Sequence, residues 1–141
     1  MLNTAVEDGG YGRSPVAANV LVEHPEAARP YLSQTTYYTD VLVPSALADL
    51  EYESEEFHQS TLGHDRRRVR DLQSLGLQVI PVTASDLYDV RSLDRVAWAL
   101  ALRVEALGGM AAADYMEWLG ARDNRRARST LFQQVKGFEI L

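Results

Sequence analysis

At 141 residues the chain is one domain's worth of sequence, and its 46% hydrophobic and 24% charged residues place it among globular proteins rather than disordered ones. Cysteine is absent, which excludes disulfides, thiolate metal sites and cysteine nucleophiles and leaves aspartate, glutamate and histidine as metal ligands. The formal charge of −6 argues against general nucleic-acid affinity. No apolar run approaches the ~18 residues of a membrane span and no signal pattern opens the chain, so no membrane partner and a cytoplasmic location are expected.

Residues 1–14, with Gly9-Gly10-Tyr11-Gly12, predict an irregular and mobile entry. Val16 to Val22 reads as a short strand. His24-Pro25-Glu26 starts a turn or short helix that Pro30 stops. Thr35 to Val43 is rich in β-branched and aromatic residues, and Pro44-Ser45 turns it into a second strand at Leu47 to Glu53, giving an antiparallel hairpin. From Thr61 or Gly63 to Leu75, Val69, Leu72 and Leu75 recur at helical intervals, with Gly76 as the residue just past the helix end.

Leu77 to Thr83 is nearly all apolar, the composition of a strand buried on both faces. Ser85 caps one long helix carrying Leu87 through Val104, which Gly108-Gly109 ends. Two more helices follow at about Ala111–Leu119 and Asn124–Val135. Trp98 and Trp118, placed among apolar residues, read as packing. The fold class is α/β, with a mixed sheet flanked by helices and a C-terminal helical extension. The chain divides into an irregular segment 1–14, an α/β domain 15–107 and the extension 108–141.

Charge is uneven along this order. Residues 1–60 hold ten acids against two arginines, whereas 61–141 hold twelve basic residues against ten acids. Arginines cluster at Arg66, Arg67, Arg68 and Arg70 and again at Arg122, Arg125, Arg126 and Arg128. An acidic centre flanked by arginines suits a metal nuclease, and it suits two solvated helix faces equally.

The densest pattern lies between Asp40 and Thr83. Asp40 precedes Pro44, and Glu51-Tyr52-Glu53-Ser54 is followed by His58, Asp65-x-x-Arg68, Leu72, Gly76, Val82-Thr83 and Asp86-Leu87. In that order and with those gaps, residues of roughly 35–105 resemble the very-short-patch-repair-like branch of the restriction-endonuclease-like PD-(D/E)xK superfamily. In actinobacterial relatives such a domain forms the C-terminal part of a longer protein with a winged-helix, antitoxin-like N-terminal region. The resemblance implies a restriction-endonuclease-like sheet and a Mg²⁺-dependent DNA endonuclease. Asp40 and Glu51 would hold the metal on neighbouring strands, with Glu53, His58 and Arg68 in support. His58 would be a general base or a phosphate contact. Arg68 would pair with Asp65 or Glu51, or offset charge on the leaving oxygen.

Two departures from the family pattern stand out. The lysine that usually follows the second acid is missing, with Glu53 where closer relatives carry aspartate, and no helix precedes Val16, so the chain reads as truncated at its N-terminus. Each residue also has a plainer reading. Asp40 alone is a turn residue, His58 a surface-loop histidine, and Asp49, Glu51 and Glu53 share one strand face that is ordinarily solvated. Three like charges on one face repel, so the nuclease reading requires a metal or an arginine among them. The competing function is a catalytically inactive nuclease-like module that binds a protein partner, or a second copy of itself, as a regulator in a toxin–antitoxin or phage-defence setting.

Overall fold

The computed structural model describes residues 1–53 and 59–140, with side chains at 1–53 and 66–135. Its strands are β1 (Ala17–Ala18), β2 (Val41–Val43), β3 (Ala48–Glu53) and β4 (Gln78–Thr83), hydrogen-bonded in that order as one four-stranded mixed sheet. The helices are α1 (Gln59–Ser74), α2 (Ala84–Tyr88), α3 (Val90–Ala106), α4 (Ala112–Leu119) and α5 (Arg122–Ile140). This is the expected α/β arrangement of a mixed sheet with helices.

β2 and β3 are antiparallel, with Leu42 opposite Asp49 and Val41 opposite Leu50. A 3₁₀ turn at Pro44–Ala46 joins them, with Leu47 left-handed at its end. β3 and β4 are parallel, a pairing that needs a crossover, and α1 supplies it. α1 ends where the sequence predicts. Gly76 has φ +94°, its N–H bonds Gln73 O and the N–H of Leu77 bonds Leu72 O, so the last carbonyls are satisfied through a left-handed residue.

Several expectations need correction. The strand foreseen from Thr35 begins only at Val41: left-handed Asn19 (φ +53°) interrupts the facing segment, although Val22 N–Tyr37 O and Thr39 N–Val20 O backbone bonds persist before it. Tyr37 OH bonds Asp71, Thr39 Oγ1 bonds the Val20 N–H, and Leu21 and Tyr38 form a single bridge. Likewise, only Ala17–Ala18 of the Val16–Val22 stretch pairs as strand.

β4 is not buried on both faces. It is an edge strand whose Ile80 and Val82 face the core while Gln78 and Pro81 are exposed, and only an edge tolerates Pro81 without an N–H. The long helix from Ser85 is two helices. Thr83 and Asp86 form a capping box for α2, and extended Asp89 then caps α3 by accepting from the Arg91 N–H. Trp98 and Trp118 are half-exposed rather than core.

α3 lies between two apolar clusters. One side packs Leu100 and Val104 onto Val43, Ala48, Leu50, Ile80 and Val82 of the sheet. Its other side packs Ala97 and Ala101 against Val6, Tyr11, Ala112, Tyr115 and Leu119. The N-terminal segment is therefore irregular but not loose: Val6 and Tyr11 are buried, and Tyr11 bridges Asp94 Oδ1 (2.9 Å) and, through its carbonyl, Tyr115 OH (2.7 Å). Arg128 of α5 closes the same corner on Asp94 and on the Leu119 carbonyl.

Gly9 is where this segment touches α5. Its φ is +94°, and a Cβ there would stand 2.4 Å from the Ala127 carbonyl oxygen. Gly9→Ala is expected to cost about 1–3 kcal/mol, read as a lower urea midpoint with an unchanged m-value.

Candidate functional site

Strand alternation turns Asp49 and Glu51 to one face of β3 and Leu50 and Tyr52 to the other. Asp40 stands just before β2, beside them. Two backbone bonds hold it there: its own N–H donates to Asp49 Oδ1 (3.1 Å), and the Tyr52 N–H donates to Asp40 Oδ2 (3.1 Å). The hairpin register, Leu42 opposite Asp49, brings these acids from separated sequence positions to one place.

Arg68 reaches the cluster from α1. Its Nη1 contacts Glu51 Oε1, and its Nη2 donates to the Tyr38 carbonyl at 2.5 Å. Asp71, one turn further along α1, secures that approach. Its Oδ2 accepts from Ser33 N (3.0 Å), Ser33 Oγ (2.5 Å) and Tyr37 OH (2.7 Å), tying residues 33–37 to the helix and so setting Tyr38 under Arg68. Burial alone would raise the Asp71 pKa. The donors from Ser33 and Tyr37 outweigh it and hold the carboxyl below its ordinary value.

The acidic cluster behaves in the opposite way. Glu51 is pushed up from 4.5 to about 9, first by burial and then by its contacts with the carboxylates of Asp49 and Asp40, while Arg68 pulls the other way without prevailing. Asp49 is completely buried, and its Oδ2 has no hydrogen-bond partner among the described residues. The place is short of positive charge even with the arginine present.

Asp40, Glu51 and Arg68 thus meet, Glu51 being one of the two partners expected for Arg68; the side chain of the other, Asp65, lies outside the described residues. Glu53 lies exposed at the end of β3, and His58 lies outside the described residues. Asp49 was missed as a site residue. Its position two before Glu51 put it on the correct face, but an acid there reads from sequence as solvated, and the burial of Asp49 overturns that reading. Arg66, Arg67 and Arg70 are exposed, as a solvated helix face would be.

The chemistry of the donor set fits a hard divalent cation. The donors are oxygens only, and an orphaned buried oxygen sits behind them. Among the described residues no group of three or more carboxylate or imidazole side chains is placed to hold a metal ion, so a cation here would rest on Asp40 and Glu51 alone. Mg²⁺ does not require a complete cage: it typically takes one or two carboxylates and fills its remaining positions with water and substrate phosphate. Beside Asp40 opens an apolar cleft of about 490 Å³, walled by Leu50, Tyr52, Val96 and Phe132. No helix of the described residues is long and apolar enough to cross a membrane. No family model, curated protein or solved structure matches the chain.

Proposed function

We propose that the Asp40–Asp49–Glu51 cluster is a divalent-cation site of a DNA endonuclease-like domain that hydrolyses phosphodiesters. One observation carries the reading: Asp40, Asp49 and Glu51 converge where Asp49 Oδ2 is buried without a hydrogen-bond partner among the described residues, and burial with the neighbouring acids pushes Glu51 up to about 9. Asp40 and Glu51 would hold the ion. When bound, Mg²⁺ polarises a phosphate oxygen and makes an attacking water more acidic.

The chain's own residues do the rest. Arg68 fixes the Glu51 carboxylate against the Tyr38 carbonyl, leaving its other oxygen for the ion. Asp49 orients Asp40 through the Asp40 N–H. The backbone N–H of Tyr52 holds the Asp40 carboxylate in place. Glu51 would hold the ion as a carboxylate, its proton released to solvent.

The test is calorimetry with Mg²⁺ or Mn²⁺ on the wild type and on Asp40→Ala/Glu51→Ala, alongside cleavage of supercoiled DNA. Binding should release a proton, so the heat should depend on the buffer's ionisation enthalpy. Affinity should strengthen as pH rises toward about 9. The double variant should be silent in both assays. Arg68 favours the second reading, a non-catalytic module, because its guanidinium already meets Glu51. Absence of binding at millimolar metal would select that reading and end the nuclease one.

A further inference from the structure

Arg122, Arg125 and Arg126 line one shallow depression on α5 together with Ser129 and Thr130. All five are exposed. Their spacing of three, four, seven and eight residues from Arg122 stacks them along one stripe of the helix, which adjoins the side that buries Arg128 and Phe132 against the protein. Helix physics disfavours this arrangement. Like charges at i,i+3 and i,i+4 each destabilise a helix by about 0.2–0.5 kcal/mol. Cations in the first turn also oppose the helix dipole. Arg128, by contrast, has Asp94 as its partner. Among the described residues no carboxylate lies within 4.0 Å of the other three guanidiniums. The chain as a whole carries −6, so this is a concentrated positive face on an acidic protein.

We infer that this face of α5 binds the phosphodiester backbone of duplex DNA. The dimensions agree. Arg122 to Ser129 spans about 10 Å at ~1.5 Å per residue, and one DNA strand presents a phosphate every ~3.4 Å of axis, so about three phosphates fall within reach. Guanidiniums grip phosphate in pairs of N–H bonds, and the two hydroxyls add donors at the same surface. No apolar side chain lines the depression, which sets it apart from helices that lie in a membrane surface. The inference rests on α5 alone and does not depend on whether the carboxylate cluster cleaves anything.

Anisotropy of a labelled 20-base-pair duplex, titrated in EDTA over a salt series, tests it. Three full-length proteins are compared: wild type, R122Q/R125Q/R126Q, and R66Q/R67Q/R70Q, which carries the same net charge. Circular dichroism checks that each is folded. The α5 variant should bind at least about tenfold more weakly at low salt, and its slope of log affinity on log salt should be shallower by about 2–3, at ~0.9 per phosphate lost. The charge-matched variant should stay within about threefold of wild type. Equal losses in both variants, an unchanged slope in the α5 variant, or no duplex binding by the wild type at low salt would each overturn the inference. So would competition by millimolar inorganic phosphate, or wild-type binding to vesicles of anionic phospholipid that the α5 variant loses. Because EDTA removes any metal, a dead carboxylate site cannot be mistaken for a failure of this face.

Discussion

Asp71→Ala should lower the unfolding free energy by about 3–5 kcal/mol, the range for removing one partner from a buried charged network. The carboxylate is buried and accepts from Ser33 N, Ser33 Oγ and Tyr37 OH, so its loss removes the acceptor of three donors, strands the buried Tyr37 hydroxyl and leaves a void behind it. Tyr37→Phe, which removes one of the three donors, should cost about 1.5–3 kcal/mol. The pH dependence has a definite sign. Because the folded pKa of Asp71 is lowered, its stabilisation is present above the ordinary carboxylate value of about 3.9 and is lost as pH falls through the folded value. Urea midpoints of wild type and Asp71→Asn should therefore differ most near neutrality and converge below about pH 4. A gap that persists in acid would mean that the charge of Asp71 contributes little and its shape does the stabilising. Since Asp71 ties residues 33–37 to α1, Asp71→Asn should also loosen Arg68 from Tyr38.

Glu51→Gln should move stability and activity in opposite directions. In the folded protein Glu51 is raised to about 9 from 4.5. Its contribution to stability is therefore complete below about pH 4.5 and is lost progressively as pH climbs toward 9, where the buried charge is forced onto the site. Glutamine removes that charge while keeping the shape and a group that hydrogen-bonds Arg68. Without metal, the variant should melt above the wild type at pH 8–9, with the gap narrowing toward pH 5. Cation affinity and DNA cleavage should fall by about 10²-fold or more, because an uncharged amide is a poor ligand for a hard ion. Thermal melts across pH, with and without Mg²⁺, read both effects on one sample. Equal melting of the two proteins at pH 9 would show that Glu51 is not under strain from its neighbours, and the cation site would lose its main support.

The proposed cation site would work against stability for a physical reason. Three carboxylates held together at one hairpin end repel one another, and a single arginine does not cancel them. Asp71 lies less than one turn from Arg68 along α1, yet its surroundings are rich in donors rather than acids. Burial raises a carboxyl in both places. The hydrogen bonds each one finds decide the direction of the outcome.

What the chain determined by itself is mostly local. The Gly76 stop after a helix with apolar residues three apart, the hairpin around Pro44, a strand at Leu77–Thr83 (though not its place at the sheet edge) and the small-residue helix through Ala97 and Ala101 are consequences of neighbouring residues, and the α/β class follows from their order. The sharing of one β3 face by Asp49, Glu51 and Glu53 was likewise legible, because strand alternation is local. Which of those acids are buried was not. Periodicity cannot say whether solvent or a helix covers a polar face, and α1 brings Arg68 to Glu51 from 17 residues away. Nor could it foresee that the Tyr37 hydroxyl would bond Asp71, that Thr39 Oγ1 would take the Val20 N–H, or that Asp89 would divide a helix by capping its second half. The docking of Gly9 on α5 belongs to the same group. Apart from Asp89, whose partner Arg91 is two residues away, these outcomes depend on a distant partner that exists only once the chain has folded.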